Sequence, residues 1–318
     1  MTSPEWRVER GIGETRAALV EDGEIVEARV ELEGAVPAGT VVLARLACTG
    51  TLGRNAVAVG EGGIEYLLPK GTANVTQGAT LAIEVTREAI PGSEPWKRPL
   101  ARATDKERSQ AACLAGRELR FPSPRDELAG WNDLIDEARS GVVAFAGGEL
   151  RISPTPAMTL IDVDGYLAPD ELAVLGAAQA AKAIRRFDIG GSIGVDLPTA
   201  RSKAARQAAA EAVDALLQQP FERTAVNGFG FLQIVRARLR PSLIELAQDR
   251  AAFEARALLR RAAFEPAGAK RLVAHPAVAI VLADKPEWIE ELSRQVGGSV
   301  SLRADPSLAM SAGHAEKA

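Results

Sequence analysis

The sequence predicts an α+β protein, with a strand-rich first third ahead of a region where strands and helices alternate. Three observations carry that expectation. Short runs rich in β-branched residues, separated by glycine turns, fill roughly the first hundred residues. Apolar strands then alternate with amphipathic helices between Asp105 and Arg240, the mark of a layered α/β or α+β domain. Finally, Val273 to Leu302 reads strand, helix, strand, a small appended α/β unit.

Thr15 to Val20 and Glu24 to Leu32 are strands on either side of the Glu21-Asp22-Gly23 turn. Thr40 to Leu46, Ala56 to Val59, Ile64 to Leu68 and Leu81 to Glu88 are four more. With a short fifth near Asn74 to Thr76 they predict a small antiparallel barrel, closed by the breaker-rich Pro91-Gly92-Ser93-Glu94-Pro95. Asp126 to Arg139 reads as an amphipathic helix, and Gly141 to Ile152 as a hairpin turning on Gly147-Gly148. The strand Met158 to Val163 leads into a helix from Pro169 to Arg186. Asp170 and Glu171 in its first turn, and Lys182, Arg185 and Arg186 towards its end, suit the helix dipole. Ser192 to Leu197 is the next strand, Ala200 to Gln218 the next helix, and Phe231 to Val235 a further strand. A helix then runs from Leu243 or later to about Ala263, and Pro286 to Val296 is the helix of the last unit. Leu308 to Ala318 reads as a frayed tail.

Length and charge bound the function. At roughly 100–200 residues per domain, 318 residues make two or three domains. The 38 Lys and Arg against 42 Asp and Glu leave a net charge of −4, which argues against nucleic-acid binding by bulk positive charge. The balance is uneven along the chain. Ile184 to Arg261 carries thirteen basic residues against eight acidic ones, a net +5, whereas the first 35 residues carry four Arg against nine acidic residues, a net −5. With aromatics at 4%, the core is built from Ala, Val, Leu and Ile. Apolar stretches such as Leu272 to Leu282, broken by His275 and Pro276, fall short of the roughly 20 residues that cross a bilayer. The acidic N-terminal stretch lacks a signal-peptide h-region, so a cytoplasmic location is expected. Cys48 and Cys113 are expected to be buried reduced thiols, since two distant cysteines make neither a zinc cluster nor a disulfide framework.

Two aspartates stand out. Asp162 ends the apolar strand Leu160-Ile161-Asp162-Val163-Asp164-Gly165, and Asp196 ends Ser192-Ile193-Gly194-Val195-Asp196-Leu197. Acidic residues are disfavoured within strands and costly to bury singly. Two carboxylates on neighbouring strand ends suit one divalent ion such as magnesium, which takes one or two carboxylates plus water and phosphate. The plain alternative is that each aspartate caps a helix, shapes a turn or faces solvent. Asp164, at i+2 from Asp162, points to the same side of an extended strand, where it joins the metal site or shapes the Gly165 turn. Arg236, Arg238 and Arg240 alternate and face one way in a strand-like segment, which suits bidentate contacts to a phosphate backbone. A solvated edge or a set of structural ion pairs explains them equally well. The Gly190-Gly191-Ser192-Ile193-Gly194 run matches no nucleotide-loop pattern. His275 has no His or Cys partner nearby and reads as a helix-start or structural residue.

Three strings stand in order along the chain: Gly148-Glu-Leu-Arg-Ile-Ser-Pro-Thr-Pro-Ala-Met-Thr-Leu-Ile-Asp-Val-Asp164, Phe187-Asp-Ile-Gly-Gly-Ser-Ile-Gly-Val-Asp196 and Phe229-Gly-Phe-Leu-Gln-Ile-Val-Arg-Ala-Arg-Leu-Arg-Pro-Ser-Leu243. In order and spacing they resemble the catalytic region of the ribonuclease E/G family. Gly13 to Val20 looks like the family's N-terminal strand, so the resemblance covers nearly the whole chain. It implies an S1-like OB β-barrel inserted ahead of a mixed α/β, DNase I-like/RNase H-like catalytic core, with a small C-terminal α/β domain. The implied divisions are N-terminal strands packing on the core over 1–35, the barrel over 36–103, a reduced RNase H-like segment over 104–145, the DNase I-like domain over 146–250, and the small domain over 251–318. The resemblance implies a magnesium-dependent endoribonuclease, with Mn2+ able to substitute, that cuts single-stranded RNA to 5′-phosphate and 3′-hydroxyl ends. Asp162 and Asp196 then hold the ion, Asp164 supports them, and Arg236 lies beside the scissile phosphate. Arg238, Arg240, Lys97, Arg98, Tyr66 and Leu67 would contact RNA.

The departures matter as well. Asp164 stands where the family has Asn, Pro156 and Gln233 where it has Glu, Thr199 where it has a second Asp, and Leu67 where the barrel has a stacking Phe, with Tyr66 beside it. Asp105 to Val142 is too short for the family's 5′-sensing domain, and the Cys-Pro-x-Cys zinc-link is absent. No zinc and no zinc-linked tetramer are expected, which leaves room for a homodimer. Two alternatives follow: a catalytically degenerate member that binds RNA or a protein partner, and a phosphoesterase that uses the same metal pair on another diester.

Overall fold

The structure, a computed structural model, describes residues 3–50, 55–72, 75–91, 97–112 and 114–318. Strands β1 (Glu5–Arg10), β2 (Glu14–Glu21) and β3 (Glu24–Leu32) open the chain. β4 (Val41–Cys48), β5 (Ala56–Val59), β6 (Glu65–Leu68), β7 (Thr80–Arg87) and β8 (Leu100–Ala103) follow, then β9 (Arg117–Leu119) and α1 (Trp131–Ser140). The middle holds β10 (Val142–Phe145), β11 (Gly148–Pro154), β12 (Thr159–Gly165), α2 (Pro169–Arg186), β13 (Gly191–Asp196), α3 (Lys203–Leu216), β14 (Phe221–Arg223) and β15 (Phe231–Arg236). Last come α4 (Leu243–Leu246), α5 (Arg250–Ala263), β16 (Lys270–Ala274), α6 (Pro276–Ala283), α7 (Pro286–Val296), β17 (Val300–Ala304) and β18 (His314–Lys317). The fold is mixed α+β with a closed barrel, and divides into two compact units. No helix among the described residues is long and apolar enough to cross a membrane.

One unit gathers Met1–Glu33, Leu114–Asn132 and Leu246–Ala318. It contains the sheet β3-β2-β1-β9 and the sheet β17-β16-β18. Ile12, in the connection between β1 and β2, packs in one core with Leu258, Leu259, Leu272, Trp288 and Leu292, so the C-terminal segment expected as a domain of its own shares its interior with that N-terminal connection. The expected frayed tail is ordered. β18 pairs antiparallel with β16, His314 opposite Val273, because the edge of β16 offers unpaired backbone groups that a short strand can satisfy. α6 is an additional helix between β16 and α7. Its uniformly apolar sequence hides helical periodicity, while Pro276 at its start and His275, whose Nδ1 accepts from Ala277 N–H, fix where it begins.

The other unit gathers Gly34–Cys113 and Asp133–Glu245. Its barrel closes in the order β4-β5-β6-β8-β7, with β6 and β8 parallel at Leu67 and Leu100 and the other pairs antiparallel. Ala44, Leu46, Ala58, Leu68, Ile83 and Val85 fill it. The fifth strand is therefore Leu100–Ala103, beyond the breaker-rich segment, and not the stretch near Thr76. Leu-Ala-Arg-Ala has no β-branched residue to announce a strand; its place is set by hydrogen bonding to β7. Asn74 lies outside the described residues.

The second sheet runs β10-β11-β12-β13-β15-β14. β12 and β13 are parallel and joined by α2, as a crossover requires. α2 lays small residues, Ala173, Ala177, Ala180 and Ala181 among them, against one face. Two helix expectations change. The helix starting at Asp126 begins at Trp131, and the long helix to Ala263 is broken into α4 and α5, the latter capped by Asp249, which accepts from Ala252 N–H. Cys48 is exposed at the end of β4, where a register shift after Leu46 breaks the alternation that would have carried it inward with Ala44 and Leu46, and Cys113 lies outside the described residues.

Candidate metal and nucleic-acid site

The strand alternation of the six-stranded sheet separates its two faces. Leu150, Ile152, Ile161, Val163, Val195, Leu232 and Ile234 are buried on one. The opposite face carries, in one row across four strands, Arg151, Asp162, Asp196 and Phe231: Arg151 is the register partner of Asp162, Asp162 of Asp196, and Asp196 of Phe231. Neighbouring strands lie roughly 4.8 Å apart, so the two aspartate Cα atoms are next-door neighbours with side chains on the same side. Asp162 is half-buried, while Asp196 and Asp164 are exposed.

The electrostatics of this pair fit a cation. Burial, then the negative charges of Asp164 and Asp196, push the Asp162 carboxyl above its ordinary pKa, against a backbone hydrogen bond at Val163 and the charge of Arg151. Carboxylates gathered with too little positive charge around them are relieved by a hard divalent ion, and all-oxygen donors suit magnesium. Among the described residues no group of three or more His, Cys, Asp and Glu is arranged to hold a metal ion. An ion at Asp162 and Asp196 would take its remaining ligands from water and phosphate, as magnesium commonly does.

The neighbouring loop is tightly built. Asn227 Oδ1 accepts N–H donors from both Phe229 and Phe231, Gly230 N–H donates to Asn227 O, and Leu197 N–H donates to Gly230 O. Thr199 Oγ1 donates to Phe229 O. Gly230 has φ +94°, and a Cβ there would lie 2.2 Å from Leu197 O, so both the turn and the close approach require glycine. At Gly194 a Cβ would meet the Phe231 ring at 2.7 Å and the Met158 sulfur at 3.0 Å; those side chains lie over the sheet one residue pair from Asp196. Gln233 Nε2 donates to Ser192 Oγ, and Pro156 is exposed in the bend before β12.

The three arginines do not join the acid pair. Arg236 is the register partner of Gly191, at the other end of β13 from Asp196, and alternates onto the face of Leu232 and Ile234. Its guanidinium donates to Ile189 O and lies 3.8 Å from Asp188. Arg240 also faces Asp188 at 3.8 Å, and Arg238 pairs with buried Glu245 at 2.8 Å. Glu245 in turn accepts from Ser242 N–H and Oγ–H, while Ser242 Oγ accepts from Glu245 N–H, a capping box that starts α4. The alternate spacing thus resolves into structural ion pairs that tie the 236–245 segment down.

The barrel candidates also separate. Tyr66 is 2% exposed in the barrel core, because it alternates inward with Leu68, and its ring has no face to offer a base. Leu67 alternates outward and is half-buried. Arg98 is exposed and pairs with Glu65 at 2.8 Å. The Arg98 carbonyl accepts from Arg87 Nη2, and the Lys97 carbonyl from Ile90 N–H. Lys97 and Arg98 border a cavity of about 510 Å3 with Val36, Ile64, Glu65 and Ile90. Nearby, burial and the positive charge of Arg238 lower Arg87 to about 10, with Glu245 opposing.

Sequence reasoning missed Arg151 and Phe229. Arg151 alternates with buried Leu150 and Ile152, a visible signal that it faces away from the core, but only strand register shows that Asp162 is its neighbour. Comparison of the chain with protein-family models and with curated proteins returns no match.

Proposed function

We propose that the chain is a magnesium-dependent endoribonuclease, Mn2+ able to substitute, that hydrolyses single-stranded RNA to 5′-phosphate and 3′-hydroxyl ends. The observation that carries this reading is the pairing of Asp162 with Asp196 on adjacent parallel strands. A divalent ion held there supplies activation of water and neutralisation of charge on a phosphodiester. Asp162 and Asp196 bind it, and Asp164, on the same side of β12, adds negative charge that strengthens cation binding. Support comes also from the closed five-stranded barrel, which in this reading is an S1-like OB barrel, a kind of fold that binds oligonucleotides. The three strings that resemble the ribonuclease E/G family fall on β11 and β12, on β13 and on β15 with the segment after it, a DNase I-like core in that reading. No zinc is involved, and a zinc-linked tetramer is not part of the proposal.

The test is cleavage of a labelled single-stranded RNA with Mg2+ or Mn2+, comparing the parent with Asp162→Asn and Asp196→Asn. Cleavage by the parent alone supports the reading; an inert parent, or variants that cut as well as the parent, removes it. A second reading, a member that binds RNA without cutting, is favoured by Gln233, engaged with Ser192 where the family has a carboxylate. It predicts salt-sensitive RNA binding that the aspartate substitutions leave unchanged.

A further inference from the structure

We infer that the row containing the acid pair is a nucleotide subsite in which Arg151 receives a phosphate and Phe229 stacks a base. The inference rests on the reading of Asp162 and Asp196 as a cation site for a phosphodiester. Such a site still needs a group that holds the anion, and Arg236, Arg238 and Arg240 are tied up in ion pairs away from it. Arg151 is the cation in the row itself. Its side chain is 58% exposed, it pairs with Glu149 on the same strand at 2.5 Å, and it is the register partner of Asp162. A guanidinium presents its planar fork to phosphate oxygens, and an exposed pairing with a neighbouring carboxylate is weak enough to be exchanged for one.

Phe229 occupies the other flank. It is 83% exposed, and among the described residues only Tyr166 is an aromatic as exposed, so burial does not account for it. Nor is its position loose, since the N–H and carbonyl of Phe229 are both bonded, to Asn227 and Thr199, and Gly230 anchors the turn to Leu197. A rigid turn that holds a bare ring two residues from the partner of Asp196 costs little entropy when a flat ligand stacks on it. Arg151 and Phe231 lie three strands apart, roughly 14 Å, a span of about two extended nucleotides. Phosphate on one side, a cation between and an aromatic face on the other together select a single-stranded nucleic acid, whose bases are free to stack.

The test is equilibrium binding of a fluorescent single-stranded oligoribonucleotide to the full chain across a salt series, with Ca2+ present to block turnover. Phe229→Leu is expected to weaken binding about tenfold at every salt concentration, and Phe229→Trp to restore it. Arg151→Ala is expected to weaken binding and lower the salt slope by about one unit, since one phosphate contact is lost. Parent-like binding by Phe229→Leu, or a parent-like slope for Arg151→Ala, overturns the assignment of that residue. Circular dichroism melts of each variant separate loss of the contact from loss of the fold. A parent that binds no RNA removes the ribonuclease reading itself, whereas a parent that binds and cuts while both variants behave like it removes this subsite alone.

Discussion

Replacing Glu9 by Gln should destabilise the unit that holds the two ends of the chain. Glu9 is fully buried on β1 and accepts from Arg16 Nη1 at 2.9 Å, Arg260 Nε at 3.0 Å and Ser123 N–H at 3.1 Å. Arg16 and Arg256 also hold Glu14, at 2.7 and 2.8 Å. Burial works against the charge of Glu9, yet Arg260, Arg16 and Ser123 carry its carboxyl below the usual range. Removing one member of a buried ion pair costs about 3–5 kcal/mol, because the partner stays buried without compensation. Gln keeps the shape and one acceptor, so about 3 kcal/mol is expected, a large part of a domain stability of roughly 5–15 kcal/mol. At about 4 °C per kcal/mol for a unit of this size, that lowers Tm by roughly 12 °C. The double variant Glu9→Met with Arg260→Met removes both charges and leaves Arg16 with Glu14, so it should recover most of the loss. Urea unfolding followed by circular dichroism measures both. A loss under about 1 kcal/mol for Glu9→Gln, or a double variant that costs the sum of the singles, would refute the account of the network as mutual compensation.

Three further outcomes follow from the same geometry. Glu9 and Glu14 have depressed pKa values in the fold, so their contribution is present above the ordinary value of 4.5 and is lost as pH falls through the folded values. The urea midpoint should therefore drop below about pH 4.5 in the parent and drop less in Glu9→Gln; equal acid limbs would count against it. Gly230→Ala forces a left-handed backbone and a contact with Leu197 O, and should cost about 2 kcal/mol or more by thermal melt. Arg236→Ala should lose about 1–2 kcal/mol of stability through its bond to Ile189 O while leaving the salt slope of RNA binding unchanged, and a lower slope would place Arg236 on the ligand after all.

Much of the architecture is legible in the chain because it is local. The limits of α2 follow from Pro169, the acidic first turn and the basic last turn. β3 and β5 end where their turn residues stand, and Asp162 and Asp196 are conspicuous because a carboxylate ending an apolar strand needs a reason. What the sequence could not show is pairing between segments far apart. Leu100–Ala103 is a strand only because the barrel needs a fifth, and the frayed-looking tail is one only because β16 has an open edge. The arginine spacing was compatible with a phosphate row and with ion pairs; burial of Glu245 and the placement of Asp188 decided for ion pairs. Likewise Tyr66 faces inward because closing the barrel gives its strand an inside.

The sequence by itself determined those elements that local turns, caps and periodicity mark, their order, and the acid pair as the residues with unexplained charge. Only the tertiary structure decided which groups surround that pair, by setting Arg151 and Phe231 beside it and Arg236 at the far end of the sheet. The physical reason is that periodicity and turn chemistry act over a few residues, whereas register and burial are set by the whole sheet at once.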